Sequence, residues 1–199
     1  MVIFYLLLLG AIGIERLVEL AISRRNAARA AARGGVEHGH GHFRWMVLAH
    51  GAFLPACALE VLLLDRPFVA ALGAPMLGLA LAAQGLRYWA ISALGPAWNV
   101  RVVVVPGAPV VRRGPYRWLR HPNYLAVALE GVAIPLVHTA WITAVAFTAA
   151  NAALLRVRIR CEETALEEHG ADAAALGELP RLLPLPPRCG RRAAHGGEG

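Results

Sequence analysis

The chain has 199 residues, 57% of them hydrophobic, with a formal net charge of +7 at neutral pH, and its mean hydropathy is +0.50. An apolar share above the roughly 45–50% of soluble domains, gathered into long blocks, excludes an ordinary water-soluble domain. Lysine is absent, and the 20 arginines cluster at the ends of the apolar blocks instead of along one stripe, which points to the margins of a membrane and away from nucleic acid.

The first apolar block covers residues 2–22 and predicts a membrane helix, since ~20 apolar residues cross the hydrocarbon core. It has neither the basic start nor the small-residue site of a cleavable signal, and runs on into "ERLVEL". Near its end Arg16 can pair with Glu19 at i,i+3, and Glu15 shares a face with Glu19 at i,i+4. These charges read equally as a snorkelled ion pair and as part of a site. The following "EHGHGH" presents His38, His40 and His42, but no cysteine or carboxylate completes the spacing of a metal site, so no metal is expected. Residues 43–64 and 68–94 predict the second and third membrane helices. Their polar residues, His50 and Glu60, then Gln84 and Arg87, suit hydrogen bonds between helices. The connection over 95–122 is long enough to hold a site.

Residues 124–137 and 139–157 are shorter blocks that meet at His138 and Thr139 and predict a helical hairpin. Glu130 lies two turns into the fourth helix, too deep to snorkel, and is expected to face Gln84, Arg87 or Asn151 inside the bundle. Arginines follow the first helix (Arg24, Arg25, Arg29, Arg33), the third (Arg112, Arg113, Arg117, Arg120) and the hairpin (Arg156, Arg158, Arg160). The positive-inside rule then predicts five crossings of the cell membrane. It places the N-terminus, Asp65 and His138 outside, and the arginines and the C-terminus in the cytoplasm. Cys57, Cys161 and Cys189 are isolated and form neither a disulfide framework nor a zinc site. Residues 184–199, rich in Pro, Gly and Arg, predict a frayed tail, which leaves 1–183 as one membrane domain. No strand precedes a G-x-G-x-x-G and no phosphate-binding loop occurs, which excludes the usual nucleotide folds.

Two stretches carry chemistry. In "GPYRWLRHPNY", Gly114 to Tyr124, the proline disfavours helix at His121 and suits the first turn of a helix beginning near Pro122. A helix N-terminus flanked by Arg117, Arg120 and His121 suits an anionic group; the same arginines suit an anchor on lipid phosphates. In "RVRIRCEETAL", Arg158 and Glu162 are i,i+4 neighbours, with Glu163 beside them. Because the last two helices form a hairpin, both stretches must lie together at one interface.

With this spacing, "GPYRWLRHPNY", an apolar hairpin and "RIRCEETAL" resemble the C-terminal half of the isoprenylcysteine carboxyl methyltransferase family, integral-membrane enzymes that use S-adenosylmethionine. The likeness covers about 111–166, and "ELPRLLP" at 178–184 resembles the family's closing segment. It implies an all-α, five-span membrane fold with a cytoplasmic cofactor site. Carried over residue by residue, Tyr116, Arg120, His121, Pro122 and Tyr124 would hold the cofactor, and Arg158, Glu162 and Glu163 would carry the catalytic role and place the acceptor. Upstream, "ERLVELAISRRN", "GVEHGHGHFRWMVLAH" and "WNVRVVVVPGAPVVRRGPY" resemble a bacterial branch that occurs with type III polyketide synthases and O-methylates alkylpyrones or alkylresorcinols. "EEHGADAAALG" at 167–177 lacks the aromatic residues of the eukaryotic pattern. The expected acceptor is therefore a polyketide lipid entering from the bilayer, ahead of an isoprenylcysteine carboxylate. A non-catalytic protein that binds anionic lipid is the reading from another class. An acceptor already ionised needs only orientation, for which Arg158 is the candidate; a resorcinol hydroxyl, with acidity near ~10, wants a base, for which Glu162, Glu163 and His121 are candidates.

Overall fold

The structure, a computed structural model, describes residues 1–169 and 179–182. The 184–199 tail and Cys189 lie outside the described residues. Five helices dominate: α1 (Val2–Ala31), α2 (His40–Leu63), α3 (Ala70–Leu94), α4 (Pro122–Leu136) and α5 (Trp141–His169). The third packs on the fourth, the fourth on the fifth, the fifth on the second, and the second on the first. A core of Tyr5, Leu9, Phe53, Cys57, Val61, Ile134, Val137 and Phe147 fills the space between them.

The distribution of polarity is that of a body surrounded by lipid. Ile3, Leu7, Ile14, Leu59, Leu62, Leu81 and Val145 are exposed, whereas Glu19, Arg87, Glu130, Asn151 and Arg158 are buried. Charges that water does not solvate find one another inside. Arg16 donates to Glu19 at 2.9 Å and to Glu130 at 3.1 Å. Arg87 donates to Glu19 at 2.7 Å and lies 3.7 Å from Glu130. Gln84 accepts from Arg16 at 3.1 Å and also bonds Glu15. Glu130 therefore meets Arg87, as the sequence predicts, and also Arg16, whereas Asn151 is not its partner.

Two of the helices, over Phe43–Leu63 and Trp141–His169, are long and apolar enough to cross a membrane by length and composition. The first and third carry the charged network within their apolar stretches. The fourth has 15 residues, a length of only ~22 Å at 1.5 Å per residue. Five helices are thus present, while five full crossings remain an expectation. The fifth runs twelve residues past its apolar block, from 158 to 169, and so projects its charged end beyond the bundle's apolar body.

Both ends of the bundle are tied across the chain. At one end Thr139, at φ 55°, donates its hydroxyl to the Pro67 carbonyl at 2.6 Å. There Glu60 of α2 accepts from the Ile142 and Thr143 amides at 3.0 and 2.7 Å, so the start of α5 is capped from a neighbouring helix. At the other end lies a feature that departs from the all-α expectation. Strand β1 (Val36–His38) pairs antiparallel with β2 (Val102–Val104), Val36 opposite Val104. The ribbon packs on α5, where Val102 and Val104 meet Ala165 and the Gly107 amide donates to the His169 carbonyl at 3.0 Å.

Candidate functional site

α4 begins where the His-Pro pair predicts: His121 has φ −128° and ψ 57°, outside the helical region, and Pro122 is the first helical residue. Gly114, at φ 58°, sits where a Cβ would come 2.8 Å from that of Ala93, and only glycine fits the backbone this close to α3. The one-turn 3-10 helix Gly114–Arg117 that it starts leads Tyr116, Arg120 and His121 to the side of α5.

There a cavity of about 230 Å³ is lined by Tyr116, Arg120, His121, Tyr124, Arg158, Glu162 and Glu163, seven of the eight site residues expected from sequence. Pro122, the eighth, is fully buried behind them as the first residue of α4. Six of the seven form two hydrogen-bonded groups, Tyr124 with Arg158 and Glu162, and Glu163 with Arg120 and His121. The Tyr124 hydroxyl accepts from Arg158 Nε at 2.7 Å and donates to Glu162, so Arg158 reaches Glu162 through the tyrosine and not through the direct i,i+4 pair that the spacing suggests. Glu163 accepts from Arg120 at 3.1 Å, lies 3.3 Å from His121 Nε2, and takes Arg181 at 2.7 and 3.0 Å. The imidazole stacks on the Tyr124 ring, centroids 5.3 Å apart. The side expected to hold the cofactor and the side expected to place the acceptor are therefore wired together.

Electrostatics follow from this wiring. Burial by itself pushes the Glu163 carboxyl up, but the hydrogen bonds and charges of Arg181 and His121 outweigh it and hold the group below the usual carboxylate range. Burial, reinforced by the charge of Glu162, pushes the Tyr116 phenol well above its usual range, so it stays a neutral hydroxyl. Arg158 is 4% exposed, its guanidinium also touching Met46 Sδ at 3.5 Å.

The helix terminus differs from its expected role. The amides of Arg120 and His121 donate to the Pro180 and Arg181 carbonyls at 3.0 and 3.1 Å, and Arg120 Nε donates to the Leu179 carbonyl at 2.6 Å. The Arg120 guanidinium and the two amides just before α4 are thus tied to the 179–182 segment, which follows α5 in the chain. Arg117 does not line the cavity; it lies over the Trp118 ring.

Three contributors were not read from sequence. Asn123 lines the cavity with its side-chain oxygen buried and without a partner; its place in "RHPNY" was the available signal. Trp98 and Asn99 line another wall, held by α1 through Asn26, which donates to the Trp98 carbonyl at 2.8 Å, and Ser23, which donates to Asn99 at 2.9 Å. Arg29 and Arg33, at the end of α1, complete the mouth. His38 stands on β1, its ring edge-on to His169 at 5.2 Å, away from the cavity lining.

Comparison with known proteins gives this geometry its context. Residues 76–168, from α3 almost to the end of α5, match the model of the isoprenylcysteine carboxyl methyltransferase (ICMT) family. An uncharacterized protein of Bacillus subtilis (strain 168), YpbQ, is 39% identical over 164 residues, 82% of this chain and 96% of the relative. An uncharacterized protein of Haemophilus influenzae (strain ATCC 51907 / DSM 11121 / KW20 / Rd) is 27% identical over 154 residues, 76% of this chain and 88% of the relative. The match begins 35 residues before the stretch that carries the sequence likeness, and so includes the body of α3. Clustered motif residues at one end of a lipid-facing bundle agree with the family match: the chain belongs to the isoprenylcysteine carboxyl methyltransferase family of membrane methyltransferases.

Proposed function

We propose that the chain is an S-adenosylmethionine-dependent O-methyltransferase that acts on a lipid-tailed acceptor, an alkylpyrone or alkylresorcinol. The observation that carries this reading is the convergence of seven motif residues on one cavity at the end of a membrane bundle. The residues present fit the cofactor. Glu162 has a side chain 31% exposed and suits an ammonium or sulfonium. The buried, unpartnered Asn123 oxygen suits a hydrogen-bond donor. When bound, S-adenosylmethionine supplies a methyl group activated by a positively charged sulfur.

The chain's own residues then have to orient the acceptor and keep water out. Arg158, buried and fixed by Tyr124, offers a planar fork to an anionic oxygen. Glu163, saturated by Arg120, His121 and Arg181, serves to hold the wall of the cavity and is a poor base. Holding nucleophile and electrophile in line supplies much of the rate in such a reaction. The apolar outer surface and the cavity's position support an acceptor that arrives from the bilayer. The arginine distribution supports a cytoplasmic cavity with the N-terminus outside, five crossings and location in the cell membrane.

The test is methyl transfer. Membranes containing the protein, given labelled S-adenosylmethionine and lipid extracts, are expected to label a lipid-soluble product only with extracts from cells that make alkylpyrones or alkylresorcinols. Label on a prenylated cysteine peptide instead would move the acceptor to an isoprenylcysteine carboxylate. Absence of any transferred label with both would contradict the reading.

A further inference from the structure

We propose that Arg29, in the last turn of α1, and Arg33, just beyond its end, form a cationic subsite at the mouth of the cavity that captures a negatively charged methyl acceptor ahead of Arg158, which orients its oxygen for transfer. This rests on the methyltransferase reading and names the class of acceptor it serves: one whose oxygen is ionised on arrival, such as a carboxylate or an acidic enol.

The first support is the state of the cavity's other charges. Glu163 is shared by Arg120, His121 and Arg181, and Glu162 and Arg158 share the Tyr124 hydroxyl. Arg101 is taken by Glu37 at 2.8 Å and lies over the Phe43 ring at 4.7 Å. Among the described residues, Arg29 and Arg33 are the lining charges with neither hydrogen bond nor ion pair. A partly enclosed cavity with two unmatched cations favours an anion.

The second support is how they are aimed. Residues 23, 26 and 30 recur at i, i+3 and i+7, one face of α1. Buried Ser23 and Asn26 fasten that face to the cavity wall: the Val100 amide donates to Ser23 Oγ at 3.0 Å, and Asn26 also donates to the Gly95 carbonyl at 3.2 Å. The last turn of α1 therefore carries Arg29 and Ala30 onto the same wall, and the turn that follows, in which the Arg33 amide donates to the Ala30 carbonyl at 2.9 Å, brings Arg33 there; all three line the cavity. Two guanidinium groups four residues apart repel one another when alone and together match an oxyanion. The chemistry agrees. An ionised oxygen releases no proton on methylation, whereas a neutral hydroxyl must lose one, and Glu163 is already shared by Arg120, Arg181 and His121.

Anionic lipid phosphates share this chemistry, so the test separates the two sources. The full-length protein is placed in nanodiscs of phosphatidylcholine alone, and equilibrium binding is measured for an alkyl hydroxypyrone, ionised at neutral pH, and an alkylresorcinol of equal tail length, neutral there. Wild type is expected to bind the acidic probe at least ~10-fold more tightly. Arg29→Gln with Arg33→Gln is expected to remove most of that preference, while leaving the neutral probe and S-adenosylhomocysteine bound as before. In turnover the loss should fall on KM rather than kcat. Equal binding of the two probes by wild type, or a preference that survives the double substitution largely intact, overturns the proposal. So does a preference erased by adding phosphatidylglycerol to the discs, which would assign the arginines to lipid. The probe arm needs no cofactor, so failure of S-adenosylhomocysteine to bind wild type counts against the methyltransferase reading alone.

Discussion

Tyr124 joins the two stretches of the site through a single oxygen, and Tyr124→Phe removes that oxygen without changing the ring that stacks on His121. Two charge-assisted hydrogen bonds are lost, each worth ~1.5–3 kcal/mol in favourable settings. They are not equal here. Glu162, with a side chain 31% exposed, can recover a partner from water. Among the described residues, Arg158, 4% exposed, keeps only the weak sulfur contact to Met46 and its place over the aromatic ring at 5.4 Å, neither of which replaces the lost acceptor. The expected cost is therefore close to that of the Arg158 bond, about 2 kcal/mol, or roughly a 30-fold shift in the folding equilibrium. For a chain of this size that lowers the midpoint of thermal unfolding by about 4–8 °C. The assay is thermal unfolding in detergent at two scan rates for wild type, Tyr124→Phe, Arg158→Met and the double variant. The two single losses should overlap by at least ~1 kcal/mol, because they remove the same bond. Additive losses, or a Tyr124→Phe midpoint within a degree of wild type, would refute the bridge.

The other predictions concern the wider structure. Glu130→Leu strips Arg16 and Arg87 of a buried partner and should cost ~3 kcal/mol or more, read as lost yield and a lowered unfolding midpoint in detergent, whereas Glu130→Gln should retain most of both. Glu60→Ala uncaps α5 from across the bundle and should cost ~1–2 kcal/mol by the same measurement. Because the Glu163 carboxyl is held below its unfolded value, its pairings add stability above about pH 4.3 that is lost as pH falls through the lowered value. Glu163→Gln should accordingly flatten the acid limb of a stability–pH curve and leave the alkaline limb unchanged. Cysteines at positions 29, 117 and 160 should label from the cytoplasmic side and a cysteine at the exposed position 65 from the other; labelling of Arg117→Cys from outside intact cells would overturn the orientation.

The gathering of the site was legible because two local rules compound. His121-Pro122 fixes where α4 starts, and an apolar hairpin returns the chain beside that start, so Arg158, Glu162 and Glu163 have no other place to be. What escaped reading depends on partners far apart in sequence. Val102 to Val104 show no alternation that three residues could reveal, and their strand exists because Val36 to His38 lie opposite. Nothing in "ELPRLLP" signals that its carbonyls close the amides of Arg120 and His121, sixty residues earlier. Arg16 reads as a local pair with Glu19 until α1 packs against Gln84 and Glu130. Glu60 likewise reads as a generic interhelical group, while its function is to cap a helix that begins 81 residues later.

Calorimetric titration of S-adenosylhomocysteine into the detergent-purified protein tests the central claim, that the cavity between α4 and α5 binds the methyl donor. The account predicts saturable binding to wild type. Affinity should fall at least ~10-fold in His121→Ala, which removes the stacked ring at the cavity wall and a partner of Glu163. Absence of saturable binding to wild type, or unchanged affinity in His121→Ala, would contradict it.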